Sequence, residues 1–422
     1  MADGAPHQAS PMGDTTEDSI PLRGFRVVDF SKRYPGPFAT LWLAAYGAEV
    51  IQVESQMQPE PQRRLVRDAD GSLVQSKRDV RVGFFIAQNY SKLNCSVNLQ
   101  QTGSRDLVRR LVQVADVVVD SFSTGVLSRF GLDYATLRRM RPDIIALSVS
   151  GFGRTGPARD YRAFGQVASS FGGVDSLTGH KGGEPKTLGS ALDGICGDAG
   201  AFAILAALYH RARTGEGQYI DLAMSEVQLS MMPQAVLDYS MNRRRQGPRG
   251  NEDDIKAPHN CYPSQEKNRW IAIAVSTDEE WQAMCRVMDR PGLATDPRFA
   301  DRYRRWQNRE ELDILIQGWT RQRSHQEAME ALQRAGVPAG ATYNVAELAS
   351  HPHLNERGAF VQIDSYLGRG MVHRLPGDVG ERGSARYTAP PTLGQHNEYV
   401  FHDVLGMDDR DIQDLVEKKV IF

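Results

Sequence analysis

Residues 24–54, GFRVVDFSKRYPGPFATLWLAAYGAEVIQVE, decide the fold. Gly24 to Phe30 (GFRVVDF) reads as a buried strand and Ala48 to Glu54 (AEVIQVE) as a second, because short runs rich in Val and Ile suit strands covered on both faces. Between them a helix is expected from about Pro37 to Tyr46, with Pro37 in the first turn, where its missing N–H is no loss. Strand, helix and strand on short joints make a βαβ unit. That unit predicts a parallel, doubly wound sheet of Rossmann-like kind.

Outward from this unit the α/β rhythm breaks once and then resumes. Ser55 to Arg81 is polar and basic and reads as solvated surface, with a loop or hairpin around Asp70-Gly71. Ser104 to Val114 has helical periodicity, Val117 to Asp120 is a strand, Tyr134 to Met140 is helical, and Ile144 to Val149 is a further strand. The loop after it matches G-x-G-x-x-G at Gly151, Gly153 and Gly156, but Pro157-Ala158-Arg159-Asp160 follow where a helix should open directly. A dinucleotide fingerprint needs that helix and an acid ending the next strand, so the glycines are read as turn residues.

Gly189 to Asp221 then carries a lone carboxylate, Asp193, ahead of a long helix. Ala201, Phe202, Ile204, Leu205, Ala207 and Leu208 make that helix apolar almost all round, so burial on most faces is expected. A carboxylate at the mouth of a helix is held ionised by the unpaired amides and the helix dipole. Locally two readings stand: Asp193 as an N-cap, a common place for Asp, or as the nucleophile of a covalent acyl transfer.

A Met- and Leu-rich stretch from Ser225 to Met241 leads into Arg243 to Gly250, a linker by composition. Beyond it a strand, Trp270 to Val275, precedes three helices with capping-box signatures: Thr277 with Glu280, Asn308 with Glu311, and Ser324 with Glu327. From about Leu348 the chain is irregular to Pro391 and ends in helix-like Glu398 to Leu405 and Asp408 to Lys418. The expected division is a disordered tail (1–20), a large domain (21–224), a linker (225–250), a smaller α+β domain (251–347) and a C-terminal segment (348–422) returning to the large domain.

At 422 residues two domains are natural, and a formal charge of −2 offers no field for nucleic acid or an anionic membrane. Cys95, Cys196, Cys261 and Cys285 lack CxxC spacing and suit buried thiols, and His351-Pro352-His353 has no acidic or thiol partner at ligand spacing, so no metal is expected. No apolar run is read as long enough to span a membrane, and the first twenty residues lack the basic and apolar regions of a signal peptide. A cytoplasmic protein is expected.

From about residue 22 the chain resembles the family III CoA-transferases. The resemblance rests on Asp29-Phe30-Ser31 through Gly36-Pro37, Gly47-Ala48-Glu49-Val50 through Glu54, Ala115-Asp116-Val117-Val118, Gly125 through Arg129 with Gly131, and Ser150 to Gly153 with Gly156-Pro157. Asp296 to Phe299, Ala335 to Gly340 and Ala389 to Gly394 continue it in the same order. It implies that Asp193 is the catalytic aspartate, which takes the acyl group as a mixed anhydride and then holds CoA as an aspartyl thioester. An N-cap and a nucleophile can be one residue, so the two local readings need not compete. The resemblance also implies CoA contacts at Tyr34, Pro35, Val97, Asn98, Leu99, Ser121, Phe122, Ser123, Arg129, Phe130, Arg162, Phe164 and Gly165, with Arg129 and Arg162 as phosphate partners. It implies a CoA thioester as substrate with no permanently bound cofactor, a carboxylic acid as acceptor, and an interlocked homodimer with each active site between large and small domains.

The departures are specific. Ser55 and Gln100 stand where formyl-CoA transferase has basic residues that bind CoA, Phe164-Gly165 replaces Tyr-Glu, and Arg249 to Glu252 occupies the place of its glycine run. A formate–oxalate enzyme is therefore not expected. The phosphate clamp would be rebuilt, with Arg63 or Arg64 as candidates, and Gly165 would leave room for a larger acyl group. A 2-methylacyl-CoA racemase is the alternative, but no histidine lies between Gly153 and Gly173 to exchange the α-proton. Retention of Asp193 speaks against a non-catalytic acyl-CoA binder.

Overall fold

The computed structural model describes residues 20–63, 65–67, 73–75, 82–366, 368–377 and 387–422. The expected tail, apart from Ile20, lies outside the described residues, as do Arg64 and the turn at Asp70-Gly71. The opening unit is β1 (Arg26–Asp29), α1 (Pro35–Ala45) and β2 (Glu49–Glu54), followed by a hairpin of β3 (Leu65–Arg67) and β4 (Leu73–Gln75). Next come α2 (Val82–Asn89), β5 (Leu93–Ser96), α3 (Ser104–Gln113), β6 (Val117–Asp120), α4 (Val126–Arg129), α5 (Tyr134–Met140) and β7 (Ile145–Ser150). The run closes with α6 (Gly165–Gly172), α7 (Val174–Leu177), α8 (Ala191–Thr214), β8 (Tyr219–Ala223) and α9 (Met224–Leu229).

Six of these strands form one parallel sheet in the order β5-β2-β1-β6-β7-β8. Numbered along the chain within this sheet that order is 3-2-1-4-5-6, which reverses between β1 and β6 and opens a crevice beyond their carboxyl ends. Val27 of β1 stands between Val50 of β2 and Val117 of β6, and all three are buried. β5 escapes sequence reading because LNCS has no apolar run. Its Asn94 instead bonds Gln52 and Glu54 in the sheet interior. The chain's end covers that edge: Val97 bridges Ile421, while Asn94 and Ser96 N–H groups donate to His396 and Asn397.

α8 is buried on one face only. Cys196, Gly200, Ile204, Ala207 and Leu208 face the core, whereas Phe202 is 75% and Tyr209 66% exposed. By length and composition α8 is apolar enough to cross a membrane, against the sequence expectation. In this fold its small residues meet α1: a Cβ on Gly197 would stand 2.9 Å from both Phe38 Cβ and the Pro35 carbonyl oxygen. That close approach sets the start of α8 beside the start of α1.

The second compact unit comprises 175–187 and 234–357, and 358–422 belongs to the first. It holds α10 (Pro233–Asn242) from Gln234 on and an antiparallel sheet of β9 (His259–Pro263), β10 (Trp270–Ala274) and β11 (Ala339–Ala341). α11 (Asp278–Val287), α12 (Arg302–Gln307), α13 (Arg309–Thr320) and α14 (His325–Arg334) pack a core around Trp281, Met284, Phe299 and Ile316. The stretch expected as linker, 225–250, is thus largely the helices α9 and α10. Residues 175–187 join this unit through backbone bonds such as Gly250 N–H to Gly179 O and Gly182 N–H to Pro248 O. The capping boxes form at Thr277 and Ser324, but Asn308 turns its amide to the Arg298 and Arg304 carbonyls; Asn344 with Glu347 makes the third box instead.

Candidate active site

The loops that follow β1 and β6 leave the sheet on either side of its reversal, and Lys32 N–H donates to Ser121 Oγ at 2.9 Å between them. Beside this bridge lies a cavity of about 600 Å³. Tyr34, Pro35, Ser121, Phe122, Ser123, Phe164, Gly165 and Asp193 line it, all of them expected from the sequence. A second cavity of about 480 Å³ is lined in part by Val97, Asn98, Leu99, Phe122, Arg129 and Phe130, which the resemblance names as CoA contacts. Lys32 and Phe122 belong to both walls. Arg162 lines neither cavity and is exposed, so it does not join the residues expected beside it. The sequence reading passed over Lys32, Arg33, Phe84 and Ser190 in the first cavity and Arg105 in the second. Lys32 and Arg33 had a signal: they directly follow the first strand, where the switch-point rule puts ligand contacts.

Asp193 sits in the first turn of α8, three residues past the cap position, which Ser190 occupies without a side-chain bond. The N-cap reading is therefore not realised. Asp193 Oδ1 is buried and has no hydrogen-bond partner among the described residues. Burial pushes the carboxyl up to about 6, so the helix terminus does not hold it at the ordinary value. Gly165, the first residue of α6, lies against it: a Cβ there would be 2.2 Å from Oδ1 and 2.6 Å from Oδ2. The room expected at Gly165 for a larger acyl group is taken by the Asp193 carboxylate. Burial, and then the nearby charge of Asp193, raise the Tyr34 hydroxyl, so Tyr34 faces the cavity neutral at physiological pH.

Beneath the cavities a buried polar network fixes the loops. Asp29 accepts from Ser31 and Thr40 and pairs with Lys92 at 3.5 Å. Burial brings the Lys92 ammonium down to about 8, and it donates to the Pro37 carbonyl at 2.7 Å. Arg63 offers no phosphate contact, contrary to expectation. Its guanidinium is fully buried, pairs with Glu54 at 2.6 Å, donates to the Pro391 carbonyl at 2.7 Å and lies 3.9 Å over the Phe85 ring. Burial alone would raise the Glu54 carboxyl, but Arg63, the Glu60 N–H and Lys32 outweigh it and hold it below its usual range. Glu60, also buried, accepts the Arg33 N–H at 2.8 Å.

An ionisable carboxylate whose buried oxygen has no partner among the described residues, near the switch point of a doubly wound sheet and in a cavity of this size, suits covalent acyl transfer. The model of CoA-transferase family III matches residues 22–397. The chain belongs to this family.

Among family III relatives, succinyl-CoA–D-citramalate CoA-transferase of Chloroflexus aurantiacus is 32% identical over 404 residues, covering 95% of this chain and 98% of its own. Succinate–glutarate CoA-transferase of Agrobacterium fabrum is 30% identical, covering 93% and 98%. The crystal structure of a CaiB/BaiF family protein from Brucella suis superposes with a TM-score of 0.79 at 29% identity, over 92% of this chain and 100% of that one. Its breadth along the sheet and the smaller unit alike makes the likeness one of whole chains.

Proposed function

We propose that this family III enzyme moves CoA from an acyl-CoA donor to a carboxylic acid through two covalent states of Asp193. The Asp193 carboxylate attacks the donor thioester carbonyl, the C–S bond breaks, and CoA leaves as thiolate from a mixed anhydride. The thiolate then attacks Asp193 Cγ, releasing the donor acid and leaving an aspartyl-CoA thioester. The acceptor carboxylate attacks Cγ in turn, expelling the thiolate, which finally attacks the acceptor carbonyl and frees Asp193. Each hard exchange is split into easier acyl transfers, with no net proton or water consumed. The observation that carries this reading is the buried, unpartnered Oδ1 of Asp193 on the cavity wall.

The second cavity supports a seat for the CoA nucleotide, with Arg129 and Arg105 as cations for its phosphates. The names of the relatives support acyl-CoA and a small carboxylic acid as substrates. No histidine is among the described residues lining either cavity, which speaks against the two-base racemase alternative. The exposed apolar face of α8 supports a homodimer, and the substrates suit a cytoplasmic enzyme. Intact-protein mass spectrometry after incubation with a panel of acyl-CoAs and a hydroxylamine or borohydride quench tests the mechanism. An adduct that maps to Asp193 and vanishes in Asp193→Ala is expected. Absence of any adduct, with loss of α-deuterium from a 2-methylacyl-CoA, would favour the isomerase instead.

A further inference from the structure

Arg33 is the residue of the cavity wall whose presence the reaction steps leave unexplained. Its backbone adopts φ +72°, the left-handed region that L side chains rarely enter. Two features hold it there: its N–H donates to the buried Glu60 carboxylate at 2.8 Å, and its guanidinium lies 4.8 Å over the Phe164 ring. Glycine would make this turn without strain, so the turn by itself does not call for an arginine. Phe164 immediately precedes Gly165, whose Cα packs against the Asp193 carboxylate. The Arg33 guanidinium thus lies over the residue that precedes Gly165, on the wall of the cavity that Asp193 also lines, and no carboxylate among the described residues pairs with it. Lys32 is the other cation of this wall; its ammonium is engaged by the Gln58 carbonyl, and burial presses it below its usual value against Glu54 and Glu60. With Asp193 as the one carboxylate among the described residues lining this cavity, Lys32 and Arg33 give its wall an excess of positive charge.

We infer that Arg33 selects dicarboxylic acyl groups, its guanidinium taking the distal carboxylate of a succinyl-type donor or of a dicarboxylic acceptor while the proximal carbonyl stands at Asp193. This rests on the transferase reading above. Guanidinium binds a carboxylate through two parallel N–H bonds, and its contact with the Phe164 ring face leaves its N–H donors uncommitted. A monocarboxylic acyl chain of the same length has nothing to give this group. Because Arg33 is exposed to solvent, the selection is worth about 10- to 100-fold in kcat/KM rather than the larger factors of sealed polar pockets.

The test compares succinyl-CoA with butyryl-CoA on the wild-type protein, Arg33→Met and Arg33→Gly. Arg33→Gly suits φ +72° and is expected to melt higher than wild type, which keeps the experiment decisive if Arg33→Met folds poorly. The ratio of kcat/KM for succinyl-CoA over butyryl-CoA is expected to fall about 10- to 100-fold in both variants, mostly through KM. An unchanged ratio in a folded variant, or no preference for succinyl-CoA in the wild type, overturns the inference while adducts on Asp193 would keep the transferase reading. Calorimetric binding of both thioesters to Asp193→Asn, with and without Arg33→Gly, reads the same preference without turnover. If no thioester labels Asp193 but succinyl-CoA binding still weakens at least tenfold on losing Arg33, the transferase reading fails and the inference stands. Equal binding of the two thioesters in that experiment overturns it.

Discussion

A methyl group on residue 165 would enter the space of the Asp193 carboxylate, so Gly165→Ala must displace the carboxylate oxygens and leave the second cavity alone. Misplacement on the scale of 1 Å lowers turnover about 100-fold. Steady-state kinetics of Gly165→Ala should therefore show kcat down roughly 10- to 100-fold with KM for the acyl-CoA within a few-fold, and an equal rise in KM would argue for a wider collapse. The Asp193 carboxyl, raised by burial to about 6 from the ordinary 3.8, makes two pH predictions. In the proposed role of nucleophile it must be ionised, so kcat/KM should fall with an apparent pKa near 6 and lose about tenfold per unit below it. For stability the sign is opposite to that of a salt-bridged acid. Between roughly pH 4 and 6 the folded chain binds the proton more tightly than the unfolded chain, so stability declines as pH rises through that window. Asp193→Asn removes the buried charge and should stabilise the fold at pH 8 by on the order of 1 kcal/mol, allowing for its partial exposure, and by nothing at pH 4. Urea midpoints at the two pH values check this.

At the scale of elements, the site depends on α8 and α1 starting side by side. Gly197→Ala puts a Cβ 2.9 Å from the Pro35 carbonyl oxygen, which belongs to backbone and cannot swing aside. A loss of about 1–3 kcal/mol in urea unfolding is expected, with reduced turnover as the two helix starts part. Arg63 joins β2 to the segment at Pro391 through a buried ion pair and a carbonyl bond. Arg63→Met leaves Glu54 buried without its partner and should cost about 3–5 kcal/mol, with the deficit shrinking at lower pH as Glu54 takes up a proton. Composition alone makes residues 55–81 look like solvated surface, and Arg63 shows why that fails: pairing decides whether a charge is buried, and pairing spans elements.

For the whole molecule, the open face of α8 is the feature a single chain leaves unanswered. Phe202, Leu205 and Tyr209 are exposed on a helix whose opposite face is core. Covering such side chains is worth roughly 1.5–3 kcal/mol each for full burial, which offsets part of the cost of bringing two copies together. Sedimentation of the purified protein should give a dimer, and Phe202→Asp should shift it toward monomer while leaving the far-ultraviolet circular dichroism unchanged. A monomeric wild type would remove the homodimer from the proposal.

What the sequence by itself determined is whatever period and punctuation encode: the βαβ opening between Gly24 and Glu54, the helices bounded by the Thr277 and Ser324 caps, and Asp193 ahead of a long apolar helix. These are local signals, since side-chain alternation, turn residues and caps act over a few positions. Resemblance added part of the lining of both cavities, yet it missed Lys32 and Arg33, and neither local pattern nor resemblance could place Arg162 outside them or Arg63 in the interior. Tertiary structure alone decided those, along with β5, the two-part composition of the smaller unit and the bare oxygen of Asp193. The reason is physical. Burial of a charge, the value of a carboxyl group's pKa and the fit of a glycine against a side chain all depend on atoms brought together from distant positions, and no window along the chain contains them.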